Sequence, residues 1–380
     1  MKKILTLFAA AMLITACSNE DGTTPEGNQS SGSPIAFEVT DNGALTRAQG
    51  DITADKLKKF GVFASYTGKL KYENTTVSPD FMYNQPVSIT DDGNWSYAPL
   101  KYWPNDASEY VSFFAYAPYE ESPADDGRCI IDMSKWDDKG DPWLNYRLAA
   151  DPFGEETSVS YPQVDLLYAV NEGSTGVADD TPWLDLQKPE VDQKVNFTFK
   201  HALGCVGDLI TIQMSEALSQ KLANYAELKV TSVKINYKNL TNKARLVLKC
   251  SSYPDWREIV SGQLTVSRTL NLTGSWTPTT TAVPISTGKG LFYIPLQVQG
   301  TEAPVAEVTL NYTVTILGSG TTPVAVLDGV ATGSFPLSLN AMEGKKQPIA
   351  LNLGVNIDMQ HLIYQLDNDP ATEPSYAPKF

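Results

Sequence analysis

From residue 35 onward, apolar and polar residues alternate with a period of two in short runs, separated by clusters of Gly, Pro, Asn and Asp. Ile35, Phe37 and Val39 form the first run. Phe60 to Ala64, Tyr110 to Tyr116, Val164 to Val170 and Val195 to Phe199 follow it. Beyond about residue 190 the texture resumes in Leu209 to Met214, Leu228 to Tyr237, Ala244 to Leu248, Leu291 to Val298, Val305 to Ile316 and Ile349 to Leu353. Successive side chains of a strand point to opposite faces, so such runs predict strands with one face in a core. One helix is predicted, over Ser215 to Tyr225, because Met214, Leu218 and Leu222 recur at i, i+4 and i+8. It is placed as a cap on one end of a sandwich. Many short strands among 24 Pro and 26 Gly predict an all-β chain, with strands enough for one β-sandwich in each half. Tyr102-Trp103-Pro104 before one strand and Tyr293-Ile294-Pro295 before another make a faint internal echo of two related halves.

The N-terminus follows a different pattern. Lys2 and Lys3 precede an apolar run from Ile4 to Ile14, and the small residues Thr15 and Ala16 stand just before Cys17. This is the layout of a secretory signal peptide, residues 1–16, removed on export. The run is shorter than the roughly 20 residues that cross a bilayer, and no later run is long and apolar enough to do so. Cys17 is either an ordinary thiol beside the cut or, after Leu13-Ile14-Thr15-Ala16, the cysteine of a bacterial lipobox; lipidation is the expected outcome. Several acyl chains on one cysteine anchor durably, at about 0.8 kcal/mol per buried methylene. Ser18-Asn19-Glu20-Asp21 resembles a surface-export signal of lipoproteins in certain Gram-negative anaerobes. Residues 17–34, mostly Gly, Ser, Thr, Asn and Pro, have little to bury and read as a disordered tether.

Length and composition set bounds on the rest. The 380 residues, 42% hydrophobic and 19% charged, are enough for two domains, expected at 35–190 and 191–355, followed by a segment at 356–380. A net charge of -15 argues against nucleic acid or an anionic lipid surface as a partner, since both would repel the chain. Apart from Cys17, the cysteines are Cys129, Cys205 and Cys250, an odd set that no disulfide framework can use in full.

Two histidines, His201 and His361, make a histidine metal centre or a Ser-His-Asp site hard to assemble. His201 lies in a predicted strand and reads as a core or edge residue. There is no Gly-rich phosphate loop, catalytic carboxylate pair or metal-ligand spacing, so neither an enzyme nor a cofactor is expected. Asp137-Asp138-Lys139-Gly140-Asp141 and Asp179-Asp180 lack the spacing of a calcium loop and read as turns. Trp95, Tyr97, Tyr102, Trp103, Trp136, Trp143 and Tyr146 read as sandwich core before they read as a ligand platform. Trp136 and Trp143, in a predicted long loop, are the main candidates for facing a glycan or host ligand.

Several segments, in order, resemble the fimbrillin family, the type V pilins of Gram-negative anaerobes. They are Ile35-Ala36-Phe37, Thr46-Arg47-Ala48, Phe60-Gly61-Val62-Phe63-Ala64, Trp95-Ser96-Tyr97 and Tyr102-Trp103-Pro104. Phe113-Phe114-Ala115-Tyr116-Ala117-Pro118, Asp165-Leu166-Leu167-Tyr168-Ala169, Phe197-Thr198-Phe199-Lys200-His201-Ala202-Leu203 and Gly344-Lys345 before Ile349 complete the set. The resemblance implies two tandem transthyretin-like β-sandwich domains with few short helices. It also implies a structural role as a pilus subunit. A lipidated precursor is held at the outer membrane, a trypsin-like or arginine-specific protease removes its N-terminal segment, and a strand from a neighbouring subunit fills the gap.

On this resemblance the cut falls after Arg47 and makes Ala48 the new N-terminus, so residues 35–47 are lost on maturation. Without the neighbouring motifs Arg47 would read as a solvated surface arginine. The displaced strand carries Ile35, Phe37 and Val39. Its departure would leave an open sheet edge and an apolar groove, which invite strand addition. The donor candidate carries Val355, Ile357 and Met359, then Leu362, Tyr364 and Leu366 in shifted register around His361. A final strand of the chain's own second domain is the competing reading of that segment. Pro370, Pro374 and Pro378 keep residues 367–380 from pairing as a regular strand. The expected partners are other pilin subunits, of the same or another kind, the maturation protease, outer-membrane lipid before cleavage, and host or bacterial surface ligands. The alternative is a tip adhesin or an anchored glycan-binding lipoprotein that does not polymerise.

Overall fold

The computed structural model describes residues 32–40, 57–121, 131–149, 151–154, 163–171, 181–191, 193–223, 226–250, 254–258, 262–317, 323–339, 346–354 and 366–368. Strands β1 (Phe37–Val39), β2 (Lys59–Gly68), β3 (Met82–Ile89), β4 (Trp95–Ser96) and β5 (Tyr110–Ala117) come first. They are followed by β6 (Ile131–Met133), β7 (Trp143–Arg147), β8 (Leu167–Val170), β9 (Trp183–Leu186), β10 (Val195–His201) and β11 (Gly204–Met214). After helix α1 (Glu216–Leu222) come β12 (Ala226–Thr241), β13 (Lys243–Val247), β14 (Asp255–Glu258), β15 (Gln263–Trp276) and β16 (Val283–Thr287). The last are β17 (Leu291–Tyr293), β18 (Val305–Leu317), β19 (Pro323–Pro336), β20 (Lys346–Leu353) and β21 (Leu366–Asn368). The fold is all-β and sandwich-like.

Eight strands make the first sheet, in the order β1-β10-β8-β5-β2-β3-β4, with β9 paired to β5. Its central strand has the sequence Tyr-Val-Ser-Phe-Phe-Ala-Tyr-Ala, buried on both faces, as a strand covered on two sides requires. Val111, Phe113, Ala115 and Ala117 enter one core with Phe60, Val62, Leu167, Phe197 and Phe199. Phe114 and Tyr116 point the other way, into a second core that continues through Tyr146, Ile210, Val233, Leu310 and Leu351.

The later strands build a sheet of β16-β11-β20-β21, with β17 on β11, and a sheet of β15-β12-β18-β19. Strand β18 alternates strictly between buried and half-buried residues over most of its length, as a strand with one face in the core must. A further sheet, β14-β13-β7-β6, joins early and late chain, with Trp143 to Arg147 antiparallel to Lys243 to Val247. The Gln163 amide reinforces this join: it donates to Gly290 O at 2.6 Å and accepts from Phe292 N at 2.8 Å. The described residues from Ser33 onward form one compact unit.

Three expectations change. The helix is shorter than its periodicity: Met214 ends β11, Ser215 caps the first turn by accepting from Leu218 N, and only Leu218 and Leu222 bury an apolar face. The run Leu291 to Val298 pairs only as far as Tyr293, because Pro295 has no N–H to give a ladder and Leu296 N turns back to Ile294 O. Trp143 opens β7 rather than lying in a loop, and the Arg245 guanidinium stacks 3.8 Å from its ring centroid. Of the other aromatic candidates, Tyr97, Trp103 and Tyr146 are buried, Trp95 is half-buried against Phe60, and Tyr102 and Trp136 are exposed.

Candidate functional site

Residues 33–40 run along the edge of the eight-stranded sheet and are held from both sides. On one side β1 lies parallel to β10, with Phe37 opposite Val195, Glu38 opposite Asn196 and Val39 opposite Phe197. Val195 N donates to Ala36 O at 2.8 Å, Thr40 N to Phe197 O at 3.0 Å, and the Thr40 hydroxyl to Asn196 Oδ1 at 2.7 Å. On the other side Ile35 N donates to Lys101 O at 2.9 Å and Trp103 N to Ser33 O at 3.1 Å, beside an antiparallel bridge of Pro34 to Tyr102.

The apolar side chains decide the energetics. Ile35 and Phe37 are 1% and 2% exposed, and Val39 is half-buried. Four aromatic rings surround Phe37: Tyr97 at 5.3 Å between centroids, Phe197 at 5.7 Å, Phe113 at 6.0 Å and Phe60 at 6.4 Å. Each fully buried side chain contributes about 1.5 to 3 kcal/mol, and aromatic pairs add about 0.5 to 1.5 kcal/mol each. A three-residue strand without these anchors would not hold an edge position. The Tyr97 hydroxyl donates to Ile35 O at 2.8 Å. Burial pushes its ionisation upward, which keeps it a neutral donor. The Glu38–Lys194 contact, at 3.8 Å and largely exposed, contributes little.

The sequence pattern found Ile35, Phe37 and Val39, but not the residues that hold them. Tyr97, Lys101 and Trp103 lie 62 or more positions from Ile35, and only the aromatic motifs Trp95-Ser96-Tyr97 and Tyr102-Trp103-Pro104 hint at them. Cys17, Arg47 and Ala48 lie outside the described residues, as do Val355, Ile357, Met359, Leu362 and Tyr364. Leu366 begins β21, which pairs antiparallel with the end of β20 over Leu351 to Leu353, so Asp367 and Asn368 do join a ladder, contrary to the expectation drawn from the prolines beyond them.

Among the described residues, the other chemical candidates have structural surroundings. His201 is a core residue whose Nδ1 lies 2.8 Å from Asp165 Oδ2, both side chains being 1% exposed. Asp138 accepts from Lys135 N at 2.8 Å, a turn contact, and the described residues hold no cluster of metal-ligating side chains. Asp179 and Asp180 lie outside the described residues. Cys205 and Cys250 are buried thiols, and Cys129 is also outside the described residues. No helix among the described residues is long and apolar enough to cross a membrane.

A sequence profile described as Fimbrillin-like matches residues 46–354. The chain belongs to the fimbrillin-like family. This fimbrillin-like chain is 29% identical over 214 residues to fimbrium subunit Fim1C of Phocaeicola vulgatus, an alignment covering 54% of the chain and 50% of that protein. It thus spans about half the length of the curated relative it matches. Its fold resembles a crystal structure of a fimbrial protein from Bacteroides vulgatus, with a TM-score of 0.60 at 19% identity over 88% of this chain and 98% of the other.

Proposed function

We propose that this fimbrillin-like protein is a pilus subunit exported as a lipoprotein on Cys17, matured by proteolysis after Arg47 and assembled by strand donation between subunits at the cell surface. The observation that carries the proposal is the state of β1. It is a three-residue parallel edge strand whose Phe37, with Ile35 just before the strand, plugs an apolar groove. The relative's name, fimbrium subunit, and the family profile are consistent with it. While β1 is in place the edge is covered and the precursor stays monomeric. Once the peptide bond after Arg47 is cut, residues 35–47 are no longer tethered and can leave, taking the lipid anchor with them. The vacated edge and groove then take an apolar strand of similar pattern from another subunit, for which Val355, Ile357, Met359, Leu362, Tyr364 and Leu366 are the candidates. The exchange replaces like burial with like, so proteolysis supplies its direction.

The test is to treat purified precursor with a trypsin-like protease and run it unboiled on a denaturing gel. Ladders with Ala48 as the mature N-terminus are expected. A monomer throughout, with Arg47 uncut and Cys17 still lipidated, would instead indicate an anchored binder.

A further inference from the structure

We infer that the groove filled by Ile35 and Phe37 selects its incoming strand by a central aromatic residue, and that Leu362, Tyr364 and Leu366 of a second copy take the places of Ile35, Phe37 and Val39. This rests on the assembly reading above and narrows it to one register.

The pocket sets the requirement. Phe37 sits among four aromatic rings with centroids 5.3 to 6.4 Å away, and it is 2% exposed. A smaller side chain at this point leaves a void bounded by rings that are themselves packed in the core, and such voids are costly because the walls relax only in part. The flanking positions are aliphatic, Ile35 on one side and Val39 on the other. The positions between them, Ala36 and Glu38, are half-buried and exposed. The groove therefore calls for aliphatic, aromatic and aliphatic residues at i, i+2 and i+4, with polar residues tolerated between.

Residues 35–39 read Ile-Ala-Phe-Glu-Val, and residues 362–366 read Leu-Ile-Tyr-Gln-Leu. Tyr364 is the sole aromatic residue in the alternating stretch from 355 to 366 other than the imidazole of His361, while Tyr376 and Phe380 stand among Pro374 and Pro378. The earlier run, Val355, Ile357 and Met359, offers no aromatic residue and would leave the four-ring pocket underfilled. Slipping the second run by one residue would drive Gln365 into the apolar site, where burying its amide is costly. Slipping by two would put a leucine in place of the ring. The alignment also puts neutral Gln365 where exposed Glu38 stood, one negative charge fewer in a chain of net charge -15.

Residues 355–361 lie between Gly354, at the end of β20, and Leu362, and when extended they span about 25 Å. In the subunit itself, Leu366 to Asn368 pairs with β20 through only three residue pairs, so releasing it sacrifices little ladder.

Cysteine cross-linking of full-length precursor after trypsin-like cleavage tests the register directly. Asn196, which faces Glu38 across β1 and β10, is changed to Cys and combined with a second cysteine in the tail. Asn196→Cys with Gln365→Cys is expected to cross-link between subunits, since the donor runs parallel as β1 does, whereas a cross-link with Ile363→Cys in its place would reverse the strand and overturn this register. A cross-link formed only with Asp358→Cys would place the earlier run in the groove and overturn the inference while leaving strand donation standing. In parallel, Tyr364→Ala is expected to slow ladder formation about a hundredfold, and Tyr364→Phe, which refills the pocket, to recover most of that loss. Ladders undiminished in Tyr364→Ala but lost in Ile357→Asp would also overturn it. No ladders from the unaltered chain would refute the assembly reading itself.

Discussion

Gly61 and Tyr116 stand opposite each other on β2 and β5, and the tyrosine ring lies across the space a side chain at position 61 would need. A Cβ there would meet Tyr116 Cε1 at 2.4 Å and Asn84 Oδ1 at 2.8 Å. The same relationship recurs twice: Gly204 faces Tyr293, whose ring is 2.5 Å from the notional Cβ, and Gly329 faces Tyr312 at 2.1 Å. Glycine weakens a strand because it has no side chain to pack, and a ring laid over it from the neighbouring strand restores the missing contact.

Gly61→Ala is therefore expected to destabilise the fold by about 1 to 3 kcal/mol through overpacking. Tyr116 cannot swing away, since it is fully buried and its hydroxyl donates to Asn84 Oδ1 at 2.7 Å. Tyr312 is 7% exposed on the strand beside edge strand β19, so its ring has more room and Gly329→Ala should cost less. Urea unfolding checks both: the Gly61→Ala midpoint should fall further, with the slope unchanged.

Phe37→Ala should loosen β1 more than it weakens the whole fold. Removing a buried phenylalanine costs about 3 to 5 kcal/mol where the site cannot collapse, but a short edge strand can open locally. Hydrogen exchange at the amides of Ile35, Thr40 and Val195 should quicken markedly, while amides in β12 and β18 change little. Equal acceleration everywhere would mean that β1 is no weaker than the rest of the fold.

Much of this site could be read along the chain, and the reason is local. Ile35, Phe37 and Val39 declare their spacing within five residues, and β5, β10 and β18 show their buried faces in the same way. What stayed hidden depends on contacts between distant residues. Tyr97 reaches Ile35 across 62 positions and Thr40 meets Asn196 across 156, and no local pattern encodes either pairing. Strands β15 and β19 are hard to read along the chain for a different reason. The exposed side of β15 carries Thr265, Ser267, Thr269 and Asn271, and glycines interrupt β19 at 329 and 333, so both look like loop until their neighbours are known. The buried run of β8 was legible but overlong, since Val164 to Leu166 enter the core without joining the ladder.

Arg268 is 5% exposed, and its guanidinium donates to Gly207 O at 2.9 Å, to Lys289 O at 2.6 Å and to the Ser286 hydroxyl, with the Phe153 ring 5.0 Å away. It thus ties β15 to β11 and β16 on the facing sheet. Arg268→Lys keeps the charge but cannot reproduce the fork, and leaves carbonyls unsatisfied in the interior. A loss of about 1 to 3 kcal/mol in urea unfolding is expected. Parity with the unaltered protein would show that the clamp is replaceable by a single ammonium.

Stability should fall on the alkaline side. Burial pushes the Cys250 thiol from 9.0 up to about 12, while its Sγ donates to Val247 O at 2.8 Å. The unfolded chain releases this proton near pH 9 and the folded chain only near pH 12. The contribution is therefore fully present below pH 9 and is lost as pH rises toward 12. Burial raises the Tyr116 hydroxyl too, which has the same sign. At about pH 10.5 the Cys250 share is about 2 kcal/mol, and Cys250→Ala should flatten that part of the urea-midpoint profile. The native thiol should also resist alkylation at pH 8 until the protein is unfolded.

The sheet formed by β14, β13, β7 and β6 bears on how this molecule can be divided in the laboratory. Trp143 to Arg147 has its ladder partner in Lys243 to Val247, 100 residues further on, so any cut between them strips one strand of its neighbour. A fragment comprising only the earlier chain would present β7 as a bare edge and lose the aliphatic packing beneath Tyr146; the later chain alone would do the same with β13. Expression of either piece should give sticky, aggregation-prone material. The useful unit for reconstitution, labelling or display is the intact span from Ser33 onward.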